Sequence, residues 1–406
     1  MQLYWIWFAE LKSVPPHQKH SLLVQFGDPE TLHHTPEAAL EQAGVSPSIR
    51  EALREKDLQK AREILRSCEQ KSIGVLPLAD IAYPRCLANT PDAPVVLYYK
   101  GVLPNWENVP FIGVVGTREA SVYGLQIARR MGSQIASSGG MVISGGASGV
   151  DTAAMQGALD AGCPVVGVLG CGVDVVYPRS NRAMFEKVQE KGCLISEYPP
   201  GAKPEPWHFP ARNRIISGIS SGVLVVEAPK KSGALITAKA ALEQGRDVFV
   251  VPGNIDNPTC EGSNLLLQEG ATPVFSGWDV VSGYEFLYPG KLKKYKDIPL
   301  YTGEAPEAKV AQTPSVPKKK SEKQETTRKN IIDNGEISSY SVLENAHPAL
   351  SDEEQIVLAE LTRDPKEPAE VIDKLSWSAG KVLSILTMLT VKGLVRKHPG
   401  GRFSLK

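Results

Sequence analysis

Three glycine-bearing turns hold most of the residues in this chain that could do chemistry. Gly116-Thr117-Arg118 follows an apolar run at 111–115, and Ser144-Gly145-Gly146-Ala147-Ser148-Gly149 follows another at 141–143. Gly170-Cys171-Gly172 follows a third at 165–169. Glycine lets backbone approach a ligand closely, and N–H groups at a helix start attract anions. Later segments add cations and a ring: Arg179 and Asn181, then Phe209, Arg212, Asn213 and Arg214, then Lys239. Cations for a backbone and rings for bases suit single-stranded nucleic acid. The candidate site is therefore Gly116, Thr117, Arg118, Ser144, Gly145, Gly146, Gly149, Arg179, Asn181, the 209–214 residues named above and Lys239. A plainer reading leaves Arg212 and Arg214 as ion pairs within the fold and Phe209 as core.

These residues need elements that bring them together. Short runs rich in β-branched residues recur at 111–115, 141–143, 165–169, 193–196, 223–226 and 247–251, with a short one at 272–275. Helical patterns lie between them, near 120–137, 150–161, 180–191, 211–220, 233–245 and 262–269. Such alternation specifies a doubly wound, Rossmann-like α/β domain: a parallel sheet covered on both faces, with right-handed crossovers. The carboxyl ends of its strands share one edge, so the glycine turns converge there. Asp151, in the first turn of the helix after the second glycine loop, suits the positive end of that helix.

Several classes are disfavoured. A nicotinamide site wants G-x-G-x-x-G and an acid at the end of the next strand, but that strand ends in Gly170. There is no G-x-x-x-x-G-K-[ST] for ATP hydrolysis. His208 is the one histidine of the α/β region and has no visible nucleophile partner, so it reads as a packing residue. Six cysteines without a CxxC pair give neither a zinc site nor a disulfide framework. No cofactor, metal or catalytic residue is expected. Lys+Arg and Asp+Glu are equal at 45 each, so any polyanion site must be local. The apolar opening at 3–9 is too short for a membrane span and lacks the basic residues that precede a signal-peptide core. A cytoplasmic protein with no membrane partner is expected.

The flanks read as separate modules. Residues 1–70 read as a small helical domain of SAM-like or helix-hairpin-helix-like kind, whose Tyr4, Trp5, Trp7 and Phe8 are either its core or a stacking platform. Residues 71–110 are a connector with an edge strand, and 111–290 the Rossmann-like domain. Residues 291–350 read as a flexible basic linker, since 291–330 holds eleven Lys/Arg against five Asp/Glu. Residues 351–406 give three helices and a hairpin, the pattern of a winged helix, which serves either DNA grooves or protein partners.

The order of motifs resembles one family closely. Val115 to Arg118, Ser144 to Asp151, Gly170 to Pro178 with Asn181, Ser196 to Pro199, Phe209 to Gly218, Glu227 to Ala238 and Gly245 to Gly253 look like the DprA/Smf family of bacterial natural transformation. The resemblance covers the whole α/β region in order. It implies a Rossmann-like, non-enzymatic homodimer that binds single-stranded DNA, protects it and helps load RecA recombinase. It also implies DNA contacts at Arg118, the 145–149 loop, Arg179 and the 209–214 segment. Ser148 and Met155 depart from it, standing where many members carry a basic residue and a histidine.

Two other functions compete. A related Rossmann-like enzyme family, the nucleoside-monophosphate phosphoribohydrolases, uses P-G-G-x-G-T with a nearby glutamate. Here Ser232 to Lys239 lacks the double glycine and the acid. A duplex regulator reading DNA with its winged helix predicts sequence preference, which phosphate contacts do not supply.

Overall fold

The computed structural model describes residues 2–295, 352–362, 364–375, 377–392, 394–398 and 401–405. The strands are β1 (Gly74–Pro77), β2 (Val96–Gly101), β3 (Phe111–Val115), β4 (Met141–Ser144), β5 (Val165–Val168), β6 (Cys193–Ser196), β7 (Gly222–Val225), β8 (Asp247–Val250) and β9 (Thr272–Pro273). They form one sheet in the order β1-β2-β6-β5-β4-β3-β7-β8-β9. From β6 to β9 all pairings are parallel. Every residue of β3, β5, β6 and β7 is buried, as a sheet covered on both faces requires. Within β3, Ile112 and Val114 enter one core, Phe111 and Val115 the other. Each such side chain contributes about 1.5–3 kcal/mol on burial.

The connector differs from its sequence reading. It supplies two strands, with β1 pairing β2 and β2 pairing β6, both antiparallel. Tyr98 and Leu97 of β2 are fully buried, so β2 is an inner strand and β1 takes the edge.

The helices before the sheet are α1 (Gln2–Glu10), α2 (Pro16–Phe26), α3 (Pro29–His34), α4 (Glu37–Gln42), α5 (Pro47–Leu53) and α6 (Gln59–Gln70). Trp5, Ile6, Trp7 and Phe8 are buried, which makes the aromatic cluster core rather than a platform. Short α7 (Arg85–Ala88) lies between β1 and β2. Then come α8 (Val122–Ser137), α9 (Val150–Asp160), α10 (Arg182–Lys191), α11 (His208–Ile219), α12 (Gly233–Glu243), α13 (Glu261–Gln268) and α14 (Gly277–Val281). Val114, Ala128, Ala154 and Val188, from β3 and α8 to α10, share one core. Val225, Ile215, Ala238 and Leu266, from β7 and α11 to α13, share the other. The strand order reverses between β4 and β7, with β3 central. Ligands of open α/β sheets bind at this switch point, outside the carboxyl ends of the strands.

A second unit carries α15 (Asp352–Ala359), α16 (Pro368–Leu375), α17 (Ala379–Val391) and a hairpin of β10 (Val395–Lys397) with β11 (Phe403–Leu405). Val382, Leu386 and Leu389 of α17 are fully buried against Val357, Val371 and Phe403. The part of the expected linker from 296 onward lies outside the described residues.

Candidate nucleic-acid interface

The first glycine turn is fixed by its neighbours. Thr117 N donates to the Glu227 carbonyl at 2.7 Å, tying the end of β3 to the end of β7. The Ser121 hydroxyl caps α8 by accepting from Gly124 N at 2.9 Å. Glu227, 2 % exposed, accepts from Ser121 N at 2.9 Å and Ser121 Oγ at 2.6 Å. Gly149 has φ of 80°, and a Cβ there would lie 2.3 Å from the Thr117 carbonyl. Glycine at 149 thus lets the first two turns pack backbone to backbone. Arg118 is left facing solvent.

Arg118 stands over a ring, its guanidinium 5.1 Å from the Phe209 centroid. Tyr177 lies 5.5 Å from Phe209 with the planes tilted by 36°. These three side chains, with Lys231 and the first turn of α12 from Ser232 to Ala234, line an open groove of about 580 Å³. The positive end of the α12 dipole therefore faces into it. Arg179 is exposed on the next loop. Among the described residues, Arg118, Arg179 and Lys231 have no ion pair. Two acidic residues also line the groove, exposed Glu119 and buried Asp151. The groove offers cations, rings and a helix N-terminus, which together suit a phosphodiester chain with splayed bases.

Other candidate residues are placed differently. Arg212 is 4 % exposed and does not face solvent. Its Nη1 donates to the Gly145 carbonyl at 2.6 Å and to the Val168 carbonyl, joining β4 to β5. A Cβ at Gly145 would lie 2.2 Å from that nitrogen, so glycine makes room for the guanidinium. Asn213 donates to the Gly233 carbonyl at 3.2 Å, fixing the α12 start. Arg214 pairs with Glu197 and, at 3.3 Å, with Asp92. Asn181 donates to the Gly146 carbonyl at 2.9 Å and Thr152 Oγ1 at 2.7 Å, bracing the second loop from below. Ser144 donates to the Val114 carbonyl at 2.6 Å and is fully buried. Lys239 pairs with Glu243 at 3.8 Å, and the groove lining from α12 stops at Thr237. Arg214 is thus ion-paired within the fold, whereas Arg212 is held by two carbonyls and still lines the floor of the groove with Asn213. The reason is helix phase: α11 begins at His208, which turns 212 inward and 214 toward Glu197.

The second loop also departs from a free anion cradle. Asp151 Oδ2 accepts from Gly145 N at 3.2 Å and Ala147 N at 3.4 Å, so the protein's own carboxylate takes those donors. Burial pushes the Asp151 carboxyl up, and Arg212 opposes that shift most strongly. Burial pushes Arg212 down, with Asp151 opposing. This pair stiffens the loop floor, and the exposed cations are left to meet a ligand. The candidate site drawn from the sequence did not include Lys231, Tyr177 or Glu227. Their position at strand ends was the available signal.

On the winged helix, the exposed side chains of α17 include Leu383, Ser384, Thr387 and Met388. Lys381 and Lys392 pair with Glu353 and Glu354 at 2.8 and 2.6 Å. Among its described side chains that face carries no free cation or amide to read base edges.

A doubly wound sheet with a cation-and-ring groove at its carboxyl edge, followed by a winged helix, defines a Rossmann-like α/β protein with an appended winged helix. The DNA recombination-mediator protein A family matches residues 74–285, and the DprA winged helix domain matches residues 343–401. The chain belongs to the DNA recombination-mediator protein A family. It is 39 % identical over 221 residues to DNA processing protein DprA of Bacillus subtilis, across 54 % of this chain and 74 % of that one. Protein Smf of Synechocystis is 32 % identical over 409 residues, across 99 % of this chain and 98 % of its own. The crystal structure of DNA processing protein A from Streptococcus pneumoniae matches with a TM-score of 0.62 and 33 % identity, across 70 % of this chain and 98 % of that chain. Among the described residues no helix is long and apolar enough to cross a membrane.

Proposed function

We propose that this chain binds single-stranded DNA in the groove beside Arg118 and delivers it to RecA recombinase, acting as a cytoplasmic homodimer in transformation or recombination. The observation that carries the reading is Arg118, exposed, without an ion pair among the described residues and set over the Phe209 ring at the mouth of the groove. A guanidinium there clamps a phosphate in bidentate fashion while the rings take a base. Family membership supports the DNA-processing role. Lys231 extends the phosphate track along the groove, and Arg179, exposed on the loop after Tyr177, supplies a further cation. The residues that do not face solvent (Arg212, Asn213, Asn181 and Glu227) act by holding the loops in register. One groove spans only a few nucleotides, so two-fold pairing would supply the second set of contacts that a strand-coating protein needs.

A gel-shift series with single-stranded, duplex and scrambled oligonucleotides tests this. Single strands should bind more tightly than duplex and without dependence on sequence. Equal or tighter duplex binding with sequence preference would favour the winged helix as the DNA reader. The same protein should not hydrolyse ATP or nucleoside monophosphates, and turnover of either would revive the enzyme reading.

A further inference from the structure

Trp207 is 67 % exposed, although an indole is among the side chains with most to gain from burial. It stands at the N-cap of α11, two residues before Phe209, and contributes no side-chain cap to that helix. Helical spacing places it on the side of Pro210, and Pro204, Pro206 and Pro210 all line the groove. These prolines hold their φ angles near one value, so the segment carrying the indole is stiff.

A chain of aromatic contacts anchors Trp207 to the sheet. The His208 Nδ1 lies 3.1 Å from the Gly170 carbonyl, just beyond the end of β5. The imidazole stacks on Tyr198, centroids 3.7 Å apart with planes at 23°. Trp207 then meets His208 edge-on, at 5.7 Å and 79°. The contact is T-shaped rather than stacked, and two-thirds of the indole stays exposed. Phe209 differs, since Arg118 already stands over its ring and Tyr177 lies against it. The groove ring therefore has little room for more than one base, while the indole two positions earlier stands open to solvent at the start of α11. The packing role that His208 was expected to have is here the means of fixing Trp207.

We propose that Trp207 is a second base-stacking platform, taking the nucleotide next to the one held at Phe209. The inference rests on reading the groove as a single-strand site. Trp207 recognises the face of a base and leaves phosphate to Arg118, Arg179 and Lys231. Stacking of this kind tolerates any base, so the platform adds affinity without sequence preference.

The test uses the full chain with Trp207→Ala, Trp207→Leu and Trp207→Phe, titrated by fluorescence polarisation against a single strand and a strand of equal length with abasic sites. On the base-carrying strand the Ala and Leu variants should bind roughly tenfold more weakly, and Trp207→Phe should keep most of the affinity. On the abasic strand all four proteins should bind alike. The dependence of affinity on salt should not change, because no phosphate contact is lost. Equal loss on both strands would assign Trp207 to the scaffold and overturn the proposal. So would unchanged affinity of the Ala and Leu variants on the base-carrying strand, with the groove reading left intact. If the wild type fails to bind either strand, the groove reading itself falls and this inference with it. Should Trp207→Ala fold poorly, the Leu and Phe pair still separates an aromatic face from mere apolar bulk.

Discussion

Replacing Arg212 by methionine separates scaffold from contact at the carboxyl edge. Its guanidinium donates to the Gly145 and Val168 carbonyls and faces the buried Asp151 carboxylate. Methionine matches much of the volume but leaves those carbonyls short of a donor, at about 1–3 kcal/mol for a buried unsatisfied group. It also leaves Asp151 without its cation, and breaking a buried pair costs about 3–5 kcal/mol. The two losses overlap, so the expected destabilisation is about 4 kcal/mol, read as a shift of the urea midpoint at constant slope. Removing Arg212 lets the Asp151 carboxyl, already raised by burial, rise further. A raised folded value means stability is fully present at low pH and lost as pH rises through it. The deficit relative to wild type should thus shrink as the pH falls and Asp151 becomes protonated. A loss below about 1 kcal/mol, together with a more than roughly tenfold loss of strand affinity, would refute this reasoning and make Arg212 a direct ligand contact.

Lys231→Ala should weaken single-strand binding by roughly two- to tenfold at moderate salt and flatten its salt dependence, whereas Lys239→Ala should leave both unchanged in the same titration. Lys19 is 7 % exposed, donates to the Ala9 carbonyl at 2.7 Å, and burial pushes its ammonium down to about 8. The unfolded chain then holds more protons than the folded one between about pH 8 and about pH 10.5, so stability should rise with pH across that window, by up to roughly 3 kcal/mol. Denaturation midpoints of wild type against Lys19→Met across that range isolate the effect, because the variant lacks the rise.

The parallel sheet was legible because burial on both faces demands continuous apolar runs, as in β3, β5 and β7. The glycine turns were legible for a similar reason: at Gly149 the backbone requires a left-handed φ. The edge strands were harder, since β1 finds β2 through space and only the second has a strong apolar run. The side on which a charge falls was not legible. Arg212 and Arg214 are two residues apart on one helix, yet one supports the loop floor and the other pairs with Glu197 and Asp92. A shift of two positions turns a helical side chain by about 200°, and only the packed helix fixes the starting phase. Asp151 read correctly as an N-terminal acid, but nothing in its type showed that it would occupy the N–H groups of the second loop.

Single-strand binding at this edge turns on Arg118, and one measurement addresses it directly: the affinity of Arg118→Ala for a single strand, titrated across salt beside wild type, with melting temperature as the check on folding. Arg118 is exposed and carries no ion pair among the described residues, so its removal should leave the melting temperature unchanged. Affinity at moderate salt should fall by more than roughly tenfold, and the salt slope should drop by about one released counterion per groove. A well-folded Arg118→Ala protein with the affinity and salt slope of wild type would contradict the account.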